Sequence, residues 1–91
     1  MKTVHLLISG KVQGVFFRET SRQLAEKLHI TGWIKNTIDG KVEALVTGDE
    51  KALNDFMNFC KAGPERAVVD EVKVSNQHKT DFEKFEIIRR K

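Results

Sequence analysis

The stretch Gly10-Lys11-Val12-Gln13-Gly14-Val15-Phe16-Phe17-Arg18 joins two glycines to a permanent planar cation. Glycines let a backbone turn several N–H groups toward one point, and the arginine fork matches the oxygens of a phosphate or carboxylate. An alternating apolar run precedes this stretch and a helical pattern follows it, which puts Arg18 at the start of a helix. A helix N-terminus carries about half a positive charge and unpaired N–H donors. Loop, dipole and guanidinium therefore favour one and the same anion. A second polar candidate is Asn36, near the end of Gly32-Trp33-Ile34-Lys35-Asn36-Thr37.

Secondary-structure elements must bring these two residues together. Thr3 to Ser9 alternates Val4, Leu6 and Ile8 against His5, Leu7 and Ser9, the pattern of a strand. Phe17, Ser21, Leu24, Ala25 and Leu28 then recur at helical spacing, with Glu19 expected in the first turn and Lys27 and His29 in the last. Gly32 to Thr37 predicts a short strand, Asp39-Gly40 a tight hairpin, and Lys41 to Thr47 a third strand. Asp49 is placed to cap a second helix whose apolar face is Leu53, Phe56, Met57 and Cys60, and Gly63-Pro64 stops it. Valine-rich Val68 to Ser75 and then Phe82 to Arg89 complete the strands, across a polar turn from Asn76 to Asp81.

The order β-α-β-β-α-β, with one strand more, predicts an α+β ferredoxin-like sandwich. Its sheet would be mixed but mostly antiparallel, with both helices on one face. In that topology the first two strands are parallel, joined by a right-handed crossover through the first helix, with the third strand between them. Their C-terminal ends then share one edge of the sheet, two strand spacings or about 10 Å apart. The gap suits a long arginine, a phosphoryl group and one water. Taken singly the residues are ordinary: Arg18 could be a solvated helix-end cation, Asn36 turn chemistry, Gln13 a loop brace, and Phe16 and Phe17 read as core or loop packing. Convergence is what lifts them.

Several other motifs fail on physical grounds. Gly10 and Gly14 are not followed by the Gly-Lys-Ser/Thr of a Walker loop. Cys60 and Arg66 have the spacing of cysteine-dependent phosphatases, yet Cys60 completes the apolar face of a helix that Gly63-Pro64 breaks, so it reads as a packed thiol. His5, His29 and His78 show no metal-ligand spacing, and Ser9 and Ser21 lack an evident base partner.

Ninety-one residues allow one domain, residues 1–91, able to bury roughly 60–68% of its unfolded surface. With 40% hydrophobic and 32% charged residues and one proline, the composition is that of a folded soluble chain. A single cysteine forms no internal disulfide, and the apolar run near the N-terminus is too short for a signal peptide or a membrane span. These features predict a cytoplasmic protein, with no membrane contact and nothing demanding more than a monomer. The net charge of +3 is scattered apart from Arg89-Arg90-Lys91, which reads as a solvated tail. No basic stripe offers itself to nucleic acid, and the expected central strands carry no aromatic for stacking on RNA bases.

Gly10 to Arg18 followed by Gly32 to Thr37 resembles the paired signature of the acylphosphatase family. The similarity continues through Asp39-Gly40-Lys41-Val42-Glu43-Ala44, Gly63-Pro64 and Phe85-Glu86-Ile87, nearly the whole chain. The resemblance implies that Arg18 binds the substrate phosphate and Asn36 orients the attacking water. It also implies a cradle of backbone N–H groups from Gln13 through Gly14, Val15, Phe16 and Phe17 to Arg18, and a strand order of four-one-three-two-five. The expected activity is metal- and cofactor-free hydrolysis of an acyl phosphate, with inorganic phosphate as product and competitive inhibitor. The chemistry of the residues agrees. A site without metal, base or acid cannot expel an alkoxide, but a carboxylate of pKa about 4 leaves as an anion unaided. Holding the phosphoryl oxygens and placing water in line is then enough. The rival expectation is an accessory domain of a larger machine that binds an anion or transfers a carbamoyl group. The chain's length of 91 residues argues against it.

Overall fold

A computed structural model describes residues 1–89 of the chain. The elements are β1 (Lys2–Lys11), α1 (Phe17–Lys27), β2 (Thr31–Asn36), β3 (Val42–Gly48), α2 (Glu50–Ala62), β4 (Val68–Gln77) and β5 (Phe85–Ile88). They form one five-stranded sheet in the order β4-β1-β3-β2-β5. The strand order implied by the family resemblance is thus the one observed, and so is the ferredoxin-like α+β class.

Alternation sets which face is buried. Val4, Leu6 and Ile8 of β1 pair with Val46, Ala44 and Val42 of β3, and all six are buried. Ile34 of β2 pairs with Ala44 and extends the same layer. Phe17, Ser21 and Ala25 of α1 and Leu53, Phe56 and Cys60 of α2 cover it, so both helices pack on one face. Full burial of a large apolar side chain stabilises by about 1.5–3 kcal/mol, which makes this layer the main source of stability. Phe56 meets Phe85 of β5 edge-on at a 6.0 Å centroid distance. On the opposite face His5 reaches Glu43 at 2.7 Å, and Lys35 lies over the Trp33 ring at 5.2 Å.

Local signals explain the ends of the helices. The Asp49 carboxylate accepts the Ala52 N–H at 2.8 Å and caps α2, as expected. Gly63, at φ 73°, closes α2 by donating its N–H to the Phe59 carbonyl at 2.6 Å. His29 is a correction: it lies beyond α1 rather than in its last turn, at φ 59°, taking the left-handed role usually given to glycine. Further boundaries differ: β4 runs on to Gln77, so Asn76 and Gln77 are strand where a turn was expected. β1 runs through Lys11, so Gly10 and Lys11 are strand paired with β4, with a bulge after Ser9. β5 starts at Phe85 rather than Phe82, because the chain before it folds back over β1 and β3. There the Thr80 N–H donates to Thr3 Oγ1 at 2.9 Å, and Thr47 Oγ1 donates to the Thr80 carbonyl at 2.7 Å. That loop gives two buried threonines their partners.

Candidate active site

With β1 ending at Lys11, the loop proper is Val12 to Phe16. Val12 and Val15 are buried and pin it to the core. Gly14, at φ 73°, and Phe16, at φ 63°, are both left-handed, and Val15 between them is not. Alternation of hand is the backbone pattern that turns successive N–H groups into an anion-binding concavity. A Cβ added to Gly14 would meet nothing within 4 Å, so one side of the loop is open to a ligand. Phe16 occupies the N-cap of α1 and no side chain caps the helix. Its carbonyl accepts the Thr20 N–H at 3.0 Å, which starts the helix and leaves the preceding N–H donors of the first turn for a guest.

Gln13 does more than hold its own loop. Its side-chain amide donates to the Thr37 carbonyl at 2.9 Å and the Lys41 carbonyl at 2.8 Å. Loop and β2–β3 connection are thereby tied together, with Asn36 the residue just before the tie. In that connection Gly40 takes φ 91° and the Thr37 N–H donates to the Lys41 carbonyl at 2.8 Å, the expected hairpin.

Arg18, Asn36, Gly14 and Phe16 border one cavity of about 420 Å³. Arg18 and Asn36 also face an adjoining recess of about 310 Å³. The two side chains from distant segments do converge on one rim of the sheet. Asn36 Oδ1 is buried there with no hydrogen-bond partner among the described residues. An unsatisfied buried acceptor costs about 1–3 kcal/mol, which sets this atom apart from the other polar groups of the sheet edge. Among the described residues no carboxylate pairs with Arg18. The nearest in sequence, Glu19, is taken by Arg22 one turn on, and that hydrogen bond holds the Glu19 carboxyl below its ordinary pKa despite some desolvation.

Of the expected cradle, Gly14, Phe16, Phe17 and Arg18 line the cavity; Val15 turns into the core and Gln13 braces from behind. Phe16 and Phe17 were both expected to pack. Phe17 does, at 2% exposure, but Phe16 is 72% exposed, because its left-handed backbone sends the ring outward. The site also includes Glu19, Ile87 and Arg89. Arg89 is exposed, as a solvated tail predicts, and borders this cavity as well; Arg90 and Lys91 lie outside the described residues. Parallel pairing of β5 with β2 sets Ile88 against Lys35, which carries Arg89 alongside Asn36. Only that register would have revealed it in the sequence. Cys60 is a buried helix residue, as expected, and burial pushes its thiol up to about 12. No group of three potential metal ligands assembles among the described residues.

Residues 4–87 match the family model for acylphosphatase. The chain is 48% identical over 82 residues to an acylphosphatase of Marinobacter nauticus, covering 86% of this chain and 89% of that one. The structure of an acylphosphatase from Coxiella burnetii superposes with a TM-score of 0.92 at 37% identity, covering 96% of this chain and 92% of that one. The crystal structure of acylphosphatase from Bacillus subtilis gives 0.92 at 34% identity, covering 97% and 99%. With this loop, this rim and these relatives, the chain belongs to the acylphosphatase family.

Proposed function

We propose that Arg18 and Asn36 divide between them the work of the family reaction, hydrolysis of an acyl phosphate to a carboxylate and inorganic phosphate. The Arg18 guanidinium, the amides from Gln13 to Arg18 and the N-terminus of α1 hold the phosphoryl oxygens. Asn36 Oδ1 accepts a hydrogen from one water and directs its lone pair at phosphorus. The water oxygen bonds to phosphorus, the bond from phosphorus to the carboxyl oxygen breaks, the carboxylate departs with its electron pair and no proton, and both protons of the water stay with the inorganic phosphate. Stabilising the spread charge on the phosphoryl oxygens is the main barrier-lowering effect in such a transfer. The observation that carries this reading is that Arg18 and Asn36, from distant segments, line one cavity, with Asn36 Oδ1 lacking a hydrogen-bond partner among the described residues.

The same reading takes residues 1–91 as one domain, working as a cytoplasmic monomer without cofactor or metal, on a small acyl phosphate rather than on nucleic acid or membrane. No helix among the described residues is long and apolar enough to cross a membrane. Inorganic phosphate fits the same cradle and should compete with substrate.

Phosphate release from benzoyl phosphate, with and without chelator, is the test. The parent should turn over equally in both. Arg18→Ala should lower kcat/KM by about 10³–10⁵ and abolish competition by phosphate. Asn36→Ala should lower kcat by about 10²–10³ while phosphate still competes. Full kcat in Asn36→Ala, or a rate that dies with chelator, rejects the assignment.

A further inference from the structure

Phosphoryl chemistry needs only part of the cavity beside Arg18. Its volume of about 420 Å³ lies in the small-molecule range of about 300–1,000 Å³. A water fills about 30 Å³, so a phosphoryl group and one water leave much of it empty. Beside the charged Glu19 and Arg89, the remaining wall has an apolar part: Val12, Phe16, Phe17 and Ile87 border the same space as Arg18 and Asn36. Within that wall Phe16 is the anomaly. It holds the chain's left-handed N-cap of α1, a conformation that glycine adopts freely, yet the residue there carries a full aromatic ring. Phe16 is 72% exposed while the neighbouring Phe17 is 2% exposed. An exposed aromatic in an uncommon backbone conformation at a site mouth gains nothing from the core.

We infer that the Phe16 ring is the surface against which the acyl group of the substrate lies, and that it gives this site a preference for aromatic over small aliphatic acyl phosphates. The inference rests on the phosphoryl reading above. In-line attack puts the leaving carboxyl on the side of phosphorus away from the water. With that water held by Asn36 of β2, the acyl group extends toward the loop, whose outer member is Phe16. A planar acyl group there buries its face or edge on the ring, and such aromatic pairs discriminate by roughly two- to tenfold beyond simple burial. Phe16 contributes through its ring to the acyl end, while the cradle acts through backbone N–H groups alone. Arg89 borders the cavity too and would instead favour an acyl group bearing its own negative charge.

The test compares kcat/KM for benzoyl, acetyl and succinyl phosphates in the parent, Phe16→Ala and Phe16→Gly. The two variants lose the same ring, but glycine relaxes the left-handed backbone and alanine does not. The expected result is a parent preference for benzoyl over acetyl phosphate that falls about fivefold or more in both variants. A preference that survives in both overturns the inference, as does a loss confined to Phe16→Gly, or an equal loss for both substrates, since each of these points to the loop backbone. Succinyl phosphate preferred over benzoyl in the parent also overturns it and assigns the acyl end to Arg89. If the parent hydrolyses none of the three, the phosphoryl reading falls and this inference with it; hydrolysis without acyl preference removes the inference alone.

Discussion

The side-chain amide of Gln13 lies 2.9 Å from the carbonyl oxygen of Thr37, across 24 residues of chain. With its second bond to Lys41, this amide joins the Val12–Phe16 loop to the turn that follows Asn36. The spacing between Arg18 and Asn36 therefore depends on a residue whose side-chain amide hydrogen-bonds to Thr37 and Lys41. Gln13→Ala leaves two carbonyls without their donor, a loss of about 1–3 kcal/mol in stability. A misplacement on the order of 1 Å can cost about 10²-fold in rate, so kcat/KM should fall by about 10- to 100-fold. Gln13→Glu should be worse on both counts, since a carboxylate would face two carbonyl oxygens. Urea unfolding and steady-state kinetics read the two effects; a Gln13→Glu protein as stable and active as the parent would refute the clamp.

Replacing Asn36 by aspartate keeps the shape and one acceptor oxygen while adding a negative charge beside the proposed phosphoryl site. Asn36→Asp should raise the inhibition constant of inorganic phosphate, where Asn36→Ala leaves it nearly unchanged. Repulsion requires the ionised form, and a side-chain carboxyl titrates near 4 in the absence of neighbours. Phosphate inhibition of Asn36→Asp should accordingly strengthen as pH falls toward that value. Inhibition constants measured from pH 4 to pH 7.5 decide it, and identical profiles for the two variants would show that position 36 lies away from the phosphate.

Cys60 ties stability to alkaline pH. Its thiol ionises at 9.0 ordinarily and at about 12 in the folded chain, because burial disfavours the thiolate. Between those values the unfolded chain has lost a proton that the native one keeps. Stability is thus fully present below pH 9 and falls as pH rises, by up to about 1.4 kcal/mol per pH unit from this group. The chain has no tyrosine, which leaves lysines as the other side chains titrating in this window. Cys60→Ala should start less stable at pH 7, by about 1–3 kcal/mol for the lost packing, but decline less steeply above pH 9. Parallel declines in urea unfolding from pH 7 to pH 11 would remove the thiol as the cause.

Two glycines separate stability from activity. At Gly32, φ 135°, an added Cβ would lie 2.0 Å from the Leu45 carbonyl oxygen, inside the β2–β3 pairing. Backbone cannot give way there, so Gly32→Ala should cost more than about 3 kcal/mol and lower Tm by more than about 12 °C. At Gly14, φ 73°, the Cβ meets open space, and only the left-handed strain of about 1–2 kcal/mol applies. Gly14→Ala should melt about 4–16 °C below the parent yet bind phosphate less well, since the methyl enters the open side of the loop. Thermal unfolding with and without phosphate tests both; a Gly14→Ala protein with parental phosphate binding would place the anion elsewhere.

Short-range patterns in the sequence were enough to determine the elements and the two ends of the chemistry. Alternation in β1 and β3 and the Leu53, Phe56 and Cys60 face of α2 each require only neighbours a few residues apart. Asp49 and Gly63 mark the ends of α2 by local capping, which is also a short-range effect. The glycine loop before Arg18 and the turn after Asn36 were legible for the same reason, and βαββαβ order with parallel first strands put them on one rim. Tertiary structure alone decided what surrounds that pair. Phe16 and Phe17 are the same residue type side by side, and a single left-handed backbone step sends one ring outward and the other into the core. Arg89 reaches the site only because β5 pairs in parallel with β2, a register between segments some 50 residues apart that no local pattern encodes. Gln13 becomes a clamp only when its loop meets the β2–β3 turn. Periodicity specifies which face of an element is buried; long-range register specifies which residues meet across the gap.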